Sequence, residues 1–157
     1  MTNTAQVIIH AARLGNIEVL QELIRQETDV NARDDKGYTP LIIASYNNKY
    51  DATRLLIDSG ADVNIGDYGG NTALMGASFK GYTDIARLLI KSGANLDIQH
   101  GNGGTALMFA TMFGRNEIVK LLLAAGADKT LVDVRGQSVL DLAEQQGNAE
   151  AIKILKH

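Results

Sequence analysis

The chain has 157 residues, enough for one compact domain or a short repeat array. Its formal charge of −3 comes from 15 bases and 18 acids without long single-sign runs, which gives no broad basic field for nucleic acid or anionic lipid. The sequence has no cysteine, no secretory signal pattern and no run of roughly 18 apolar residues, so thiolate chemistry, disulfides and membrane spans are excluded. We therefore expect a monomeric cytoplasmic protein that binds neither nucleic acid nor membrane.

The chain repeats itself at an interval of 33 residues, the spacing of a solenoid of stacked units. Four series of positions keep this interval. They are Gly37, Gly70, Gly103 and Gly136; Thr39, Thr72, Thr105 and Ser138; Leu41, Leu74, Leu107 and Leu140; and Ala44, Ala77, Ala110 and Ala143. The same frame extends backwards to Ala11 and Gly15, which indicates a first, partly formed unit.

Each unit is predicted to open with a short helix whose first residue carries a hydroxyl that can satisfy free backbone N–H groups. These N-caps are Thr39, Thr72, Thr105 and Ser138. Pro40 follows the first of them, at a position where its missing N–H costs nothing. The helix should stop at a residue suited to left-handed backbone geometry. The predicted stops are Gly15, Asn48, Gly81, Gly114 and Gly147.

A second helix follows in each unit, with an acid in its first turn that complements the positive end of the helix dipole. These acids are Glu18, Asp51, Asp84, Glu117 and Glu150. Paired leucines are expected to supply its buried stripe. The pairs are Leu55 with Leu56, Leu88 with Leu89, and Leu121 with Leu122. Glycines end three of these helices, whereas Glu27 stands at the equivalent position of the first unit, so its second helix should open most easily.

A period of 33 residues with two short helices and a turn resembles the ankyrin repeat family. The resemblance rests on Gly37-Tyr38-Thr39-Pro40-Leu41, Gly60-Ala61-Asp62-Val63-Asn64 and Gly126-Ala127-Asp128. It covers essentially the whole chain. It implies an all-α ankyrin-repeat solenoid in which the first helices and short β-turn fingers line a concave groove. We place five repeats in one domain, at 1–33, 34–66, 67–99, 100–132 and 133–157, with the first and last as caps.

Several positions depart from the family pattern. The usual histidine after Thr-Pro-Leu is replaced by Ile42, Met75, Met108 and Asp141. His100 takes the place of the aspartate that opens the other fingers, and we interpret it as a turn residue. Gly76 occupies the position of Ile43 and Phe109 in the neighbouring repeats. We expect Phe109, one repeat along, to fill the space that this glycine leaves.

A search for catalytic chemistry finds no candidate residues, and no cofactor is expected. The acids that open the second helices are better explained by the helix dipole than by general acid–base catalysis, which needs them to converge in a cleft. The glycine-rich turns lack the lysine of a phosphate-binding loop. His10 and His100 share no helical face. They leave open one alternative, a small-molecule or haem carrier that uses a histidine in a shallow pocket.

The last turns of the first helices carry most of the large side chains that the repeat pattern leaves unexplained. In the family these columns face the groove. The predicted binding residues are Tyr46, Asn47, Phe79, Lys80, Met112 and Phe113 on the helices, with Tyr38, Tyr68, Asn71, Asn102 and Arg135 on the fingers. The competing interpretation is that the rings only cover neighbouring repeats. Exposed aromatics and methionine are typical of partner-binding hot spots, so we expect a non-catalytic module that binds another protein.

Overall fold

The computed structural model describes residues 4–157, and residues 1–3, which open the predicted first repeat, lie outside it. The described part contains ten α-helices, and its only strand-like pairing is a bridge between Val132 and Ser138. The helices are α1 (Thr4–Leu14), α2 (Ile17–Arg25), α3 (Pro40–Tyr46), α4 (Tyr50–Asp58), α5 (Ala73–Lys80), α6 (Thr83–Lys91), α7 (Ala106–Met112), α8 (Asn116–Ala124), α9 (Val139–Gln145) and α10 (Ala149–Leu155). None of these helices is long and apolar enough to cross a membrane. The predicted all-α class is confirmed.

The helices form two rows. The odd-numbered helices, which are the first helices of the pairs, pack side by side in chain order from α1 to α9. The even-numbered helices form the second row from α2 to α10, and each first helix also packs on the second helix that follows it. Contacts therefore run between neighbouring pairs along the stack, as in other repeat proteins.

The core lies between the two rows, but the paired leucines contribute to it unequally. Leu89 is fully buried, whereas Leu88 is only half-buried, and the same difference separates the two leucines in the equivalent pairs of α4 and α8. The expectation that both leucines of each pair form the buried stripe is therefore wrong for the first member. A helix turns about 100° per residue, so the first leucine of each pair points away from the direction that its buried neighbour takes.

The predicted caps of the first helices are confirmed. The hydroxyls of Thr39, Thr72, Thr105 and Ser138 each accept the backbone N–H three residues on, at 3.2–3.3 Å. Asp141, which departs from the family pattern, accepts the Ser138 N–H at 2.9 Å and completes a capping box. The departure thus adds a second satisfied donor at the start of α9.

The loops after the second helices are joined by a ladder of side-chain hydrogen bonds. In each rung, a side-chain oxygen accepts a backbone N–H of the next loop along the stack. The rungs are Asn31 to Asp62, Asn64 to Asn95 and Asp97 to Asp128, with distances of 2.8, 2.7 and 2.8 Å. Because the oxygens come from short Asx side chains with fixed spacing, the ladder sets the register between successive repeats.

The fingers at 34–38, 67–71, 100–104 and 133–137 share one closing hydrogen bond. In three of them an aspartate oxygen accepts the backbone N–H four residues on, at 2.9 Å. In the remaining finger the Nδ1 atom of His100 accepts the Gly104 N–H at the same distance. The interpretation of His100 as a turn residue in the place of aspartate is confirmed.

Three buried hydroxyls at one repeat position provide a stability prediction. Ser45, Ser78 and Thr111 are fully buried, and their hydroxyls have no hydrogen-bond partner within the described residues 4–157. The first repeat carries the fully buried Ala12 at this position. Because an unpaired buried hydroxyl costs about 1–3 kcal/mol, Ser45→Ala and Ser78→Ala should each raise the free energy of unfolding by about 1 kcal/mol in urea titrations.

The matched control for these variants is Thr53, whose buried hydroxyl donates to the Lys49 carbonyl at 2.7 Å. Thr53→Val removes a hydrogen bond that is made, so it should lower the free energy of unfolding or leave it unchanged. If the serine variants destabilised the chain as Thr53→Val does, the hydroxyls would have partners that the structure does not show.

Glu27 adopts a left-handed backbone conformation, with φ of 62°, at the end of α2. Gly60 ends α4 in the same way, and apart from its two chain neighbours no residue has an atom within 4 Å of the position that a Cβ would take there. A side chain in this conformation costs about 1–2 kcal/mol. Glu27→Gly should therefore stabilise the chain by about 1 kcal/mol in urea unfolding and slow amide exchange over residues 23–27. Gly60→Ala is the control, and a loss of similar size is expected from it.

Candidate functional site

Three aromatic side chains from successive first helices contact one another. Tyr46 is the last residue of α3, Phe79 lies in the last turn of α5, and Phe113 caps α7. The Tyr46 and Phe79 rings are parallel within 3° with centroids 6.5 Å apart, and the Phe79 and Phe113 rings meet edge to face at 4.6 Å. These residues form the aromatic row. The helices stack at equivalent positions, so side chains about one repeat apart in sequence become neighbours in space.

The aromatic row differs in exposure along its length. Tyr46 is 42% exposed and Phe113 is 45% exposed, whereas Phe79 is half-buried between them. Met112 is half-buried and packs against the core. Phe79 and Met112 are thus partly covered by their neighbours in the stack. The exposed apolar surface of the row belongs chiefly to Tyr46 and Phe113.

The ammonium group of Lys80 lies 5.0 Å from the centroid of the Tyr46 ring, within the range of a cation–π contact. Arg115 lies beside the row from the following turn, and its Nε donates to the Phe79 carbonyl at 3.1 Å. Lys80 was among the predicted binding residues, and Arg115 was not. Arg115 directly precedes the second helix α8, and this position in the sequence does not indicate that its side chain contacts the end of α5.

Other predicted residues around the row also make contacts within the fold. Tyr38 is half-buried and packs against the core. The side-chain amide of Asn71 contacts both carboxylate oxygens of Asp67, at 3.2 and 3.3 Å, and the amide of Asn47 donates to the Ile43 carbonyl at 2.7 Å. These three side chains therefore support the fingers and the helix end as well as bordering the surface.

Tyr68 stands apart on its finger and is 67% exposed. The guanidinium carbon of Arg33 lies 4.9 Å from its ring centroid, and the ring packs closely on Gly37 of the preceding finger. Arg33 also donates to the carbonyls of Gly37 and Gly66. Tyr68 thus extends the finger surface without a ring contact to the aromatic row.

The surface beside the row contains a hollow of about 490 Å³ whose lining includes Gly76, and we call it the Gly76 hollow. Ile43, Met75, Tyr46, Phe79 and Phe109 provide its apolar walls, and its lining also includes Tyr38, Asn47 and Asn71. A Cβ added at Gly76 would meet only Tyr46 Cδ1, at 3.2 Å. The prediction that Phe109 fills this space is therefore wrong, because its ring forms a wall of the hollow and contacts the His100 ring at 5.0 Å.

The remaining predicted residues border a second hollow of about 540 Å³ between the last two repeats. Its lining includes Asn102 and Arg135 from the fingers, Met112 from α7, and Gln145 from α9. His100 and Phe109 also line it, and Phe109 separates it from the Gly76 hollow. Eight of the eleven predicted residues thus line one of two neighbouring hollows, whereas Tyr68, Lys80 and Phe113 line neither. We call this face, formed by the ends of the first helices and the fingers, the groove face.

The histidines lie far from one another in this arrangement. His10 is exposed on α1 beside a small hollow of about 300 Å³ lined by Val7, Leu14 and Val19 among others. His100 uses Nδ1 to close its finger. Across residues 4–157, no group of three or more His, Asp or Glu side chains is arranged to hold a metal ion. No contact in the described chain favours the haem-carrier alternative.

Shifted pKa values occur away from the groove face, in an ion-pair network between α8 and α10. A hydrogen bond that the Lys120 ammonium donates to Glu150, together with the negative charges of Glu117 and Glu150, raises the pKa of Lys120. Hydrogen bonds from Asn116 and Lys120 lower the pKa of Glu150. Lys120 Nζ lies 3.3 Å from Glu150 and 3.5 Å from Glu117. These groups join the last two second helices.

Comparison with known proteins assigns the family. A family model described as ankyrin repeats in three copies matches residues 8–100 and 92–157, and so accounts for nearly all of the chain. Together with the two rows of stacked helices, this match shows that the chain belongs to the ankyrin repeat family.

Similar curated proteins share only short segments with the chain. Ankyrin repeat and SOCS box protein 3 of Bos taurus is 36% identical over 55 residues, which are 35% of this chain and 10% of that protein. Ankyrin repeat domain-containing protein 49 of Drosophila melanogaster is 40% identical over 53 residues, 33% of this chain and 25% of that protein. Ankyrin repeat domain-containing protein 29 of Danio rerio is 40% identical over 57 residues, 36% of this chain and 19% of that protein. The matched segments span between a tenth and a quarter of these relatives.

Proposed function

We propose that this chain is a binding module that holds a protein partner against the groove face and catalyses no reaction itself. The observation that carries the proposal is the aromatic row, in which Tyr46 and Phe113 remain about two-fifths exposed at the centre of the stack. Ankyrin repeats are generally protein–protein interaction modules. We further propose that the chain acts as a monomer in the cytoplasm, without a cofactor and without binding nucleic acid or membrane.

The physical basis of the proposal is the free energy of covering these rings. Burying apolar surface is favourable by about 25 cal/mol per Å², and aromatic side chains bring large areas at low entropic cost. The row is held in place by ring contacts and by packing on the helices, so a partner would meet a preformed surface. Because these side chains are already ordered, binding costs little of their conformational entropy.

The proposal is tested by affinity capture from the cell of origin with three baits. The wild-type chain and Lys91→Glu, a change on the exposed part of α6, should retain the same protein, whereas Phe113→Ala should lose it. The captured protein is then purified and titrated directly, to show that binding needs no third component. Equal capture by all three baits would place the binding surface elsewhere and overturn the proposal.

A further inference from the structure

Among the four complete repeats, the third is the one with a glycine at the position of Gly76. The equivalent residues Ile43 and Leu142 are buried, and Phe109 is half-buried, so the other complete repeats fill this position with a large side chain. Glycine at the same position removes the side chain and leaves the apolar walls described above. The volume of about 490 Å³ falls within the range of about 300–1,000 Å³ that is common for ligand pockets.

Cations outnumber carboxylates around the hollow. The helices α1, α3, α5 and α7 contain no aspartate or glutamate, whereas Arg13 lines the hollow and Lys80 lies over its Tyr46 wall. In the described part of the chain, all salt bridges join residues of the second helices, and none involves Arg13 or Lys80. Asp67 is the one carboxylate in the lining, and its Oδ1 already accepts the backbone N–H groups of Gly69 and Asn71.

The two observations together define the chemistry of an occupant. We infer that the Gly76 hollow receives one large apolar side chain, aromatic or branched aliphatic, from an acidic segment of the partner, whose carboxylates pair with Arg13 and Lys80. This inference rests on the proposed function and specifies which kind of protein segment the groove face selects. Apolar anchors in a pocket, surrounded by complementary charges, combine affinity with orientation.

The continuity of the surface favours a polypeptide segment over an isolated small molecule. Tyr46 and Phe79 are both walls of the hollow and members of the aromatic row, which continues to Phe113 one repeat further. Arg115 adds a third cation along the same line, with its guanidinium beside Gly81. An extended segment seated in the hollow would thus pass over the exposed rings and remain next to cations.

The test uses a library of random peptides displayed on phage and selected on the whole chain. The selected peptides are synthesised and their affinities measured by fluorescence anisotropy against four variants. Gly76→Leu places in the hollow the side chain that the last repeat carries, and Gly76→Ala is the smaller step at the same position, because its methyl group would meet Tyr46 Cδ1 at 3.2 Å. The double change Arg13→Glu and Lys80→Glu reverses the charge, and Lys91→Glu with Lys153→Glu makes the same change in net charge on the second helices.

The inference predicts peptides with one large apolar residue flanked by aspartate or glutamate. Gly76→Leu and the groove-face charge reversal should each weaken peptide binding at least about tenfold. Gly76→Ala should weaken it less than Gly76→Leu does, and the charge change on the second helices should leave it within about twofold of wild type. Added salt should weaken wild-type binding more than that of the reversed variant.

Other outcomes separate this inference from the proposed function. Peptides that bind Gly76→Leu and the reversed variant normally, but lose affinity with Tyr46→Ala, would overturn the inference and leave the groove face as the binding surface. Selected peptides that are basic would overturn it too. Peptides indifferent to every groove-face change, or no selected peptides at all, would count against both proposals.

Discussion

Replacing Tyr46 by alanine is expected to weaken the binding of a protein partner by at least about 2 kcal/mol, or roughly 30-fold in Kd. Tyr46 is 42% exposed, stacks on Phe79 and lies under the Lys80 ammonium, so it combines accessible apolar area with a fixed orientation. Isothermal titration of the purified partner against wild type and variant gives the difference directly. The free energy of unfolding should change by less than about 1 kcal/mol, because a large part of the ring is already in solvent.

Phe79 provides the comparison for that result. Its ring lies between Tyr46 and Phe113, so Phe79→Ala should weaken binding and should also lower the free energy of unfolding, by about 1–2 kcal/mol. The loss of stability is expected because the ring is half-buried, so its removal also removes packing between repeats. Normal partner affinity in both variants would mean that the row only packs neighbouring repeats together.

Replacing Leu89 by alanine is expected to lower the free energy of unfolding by about 3–5 kcal/mol. Leu89 is fully buried on α6, in the middle of the stack and between the two helix rows. Its removal leaves a cavity that the helices on both sides cannot close, because each is held by its own neighbours. Urea unfolding followed by circular dichroism measures the loss.

Leu88 is the matched control for this prediction. It precedes Leu89 on the same helix, but it is half-buried and borders a surface hollow with Tyr50 and Arg87. Leu88→Ala should cost only about 1 kcal/mol, since much of its side chain already meets solvent. Equal losses at the two positions would contradict the orientation of α6 that the structure shows.

The parts of the fold that depend on local chemistry could be predicted from the sequence. A hydroxyl at an N-cap and a glycine at a helix end act through backbone groups within a few residues. The series of N-caps that contains Thr39 therefore fixes where the first helices begin, and the separate series that contains Gly81 fixes where they end. His100 could be interpreted as a turn residue for the same reason. Its replacement of aspartate keeps an acceptor at the right distance from the Gly104 N–H.

The candidate site was less predictable because it depends on the directions in which side chains point between neighbouring repeats. Phe79 and Tyr46 are equivalent in sequence, yet Phe79 is half-buried because Phe113, from the next repeat, packs against it from the other side. Gly76 was recognised as unusual, but Phe109 points to His100 rather than across to the glycine. Spacing along a helix does not specify which of two neighbouring repeats a side chain packs against. For Phe109 this orientation decides whether the space beside Gly76 is filled or open.

Protection of amides from hydrogen exchange on partner binding tests the groove face most directly. The wild-type chain is compared free and saturated with the purified partner, and peptides are resolved by mass spectrometry. Added protection should appear in segments 44–48, 77–81 and 110–114, at the ends of α3, α5 and α7, with none in the second helices at 51–58, 84–91 and 117–124. Protection confined to the second helices would contradict the assignment of the aromatic row as the binding surface.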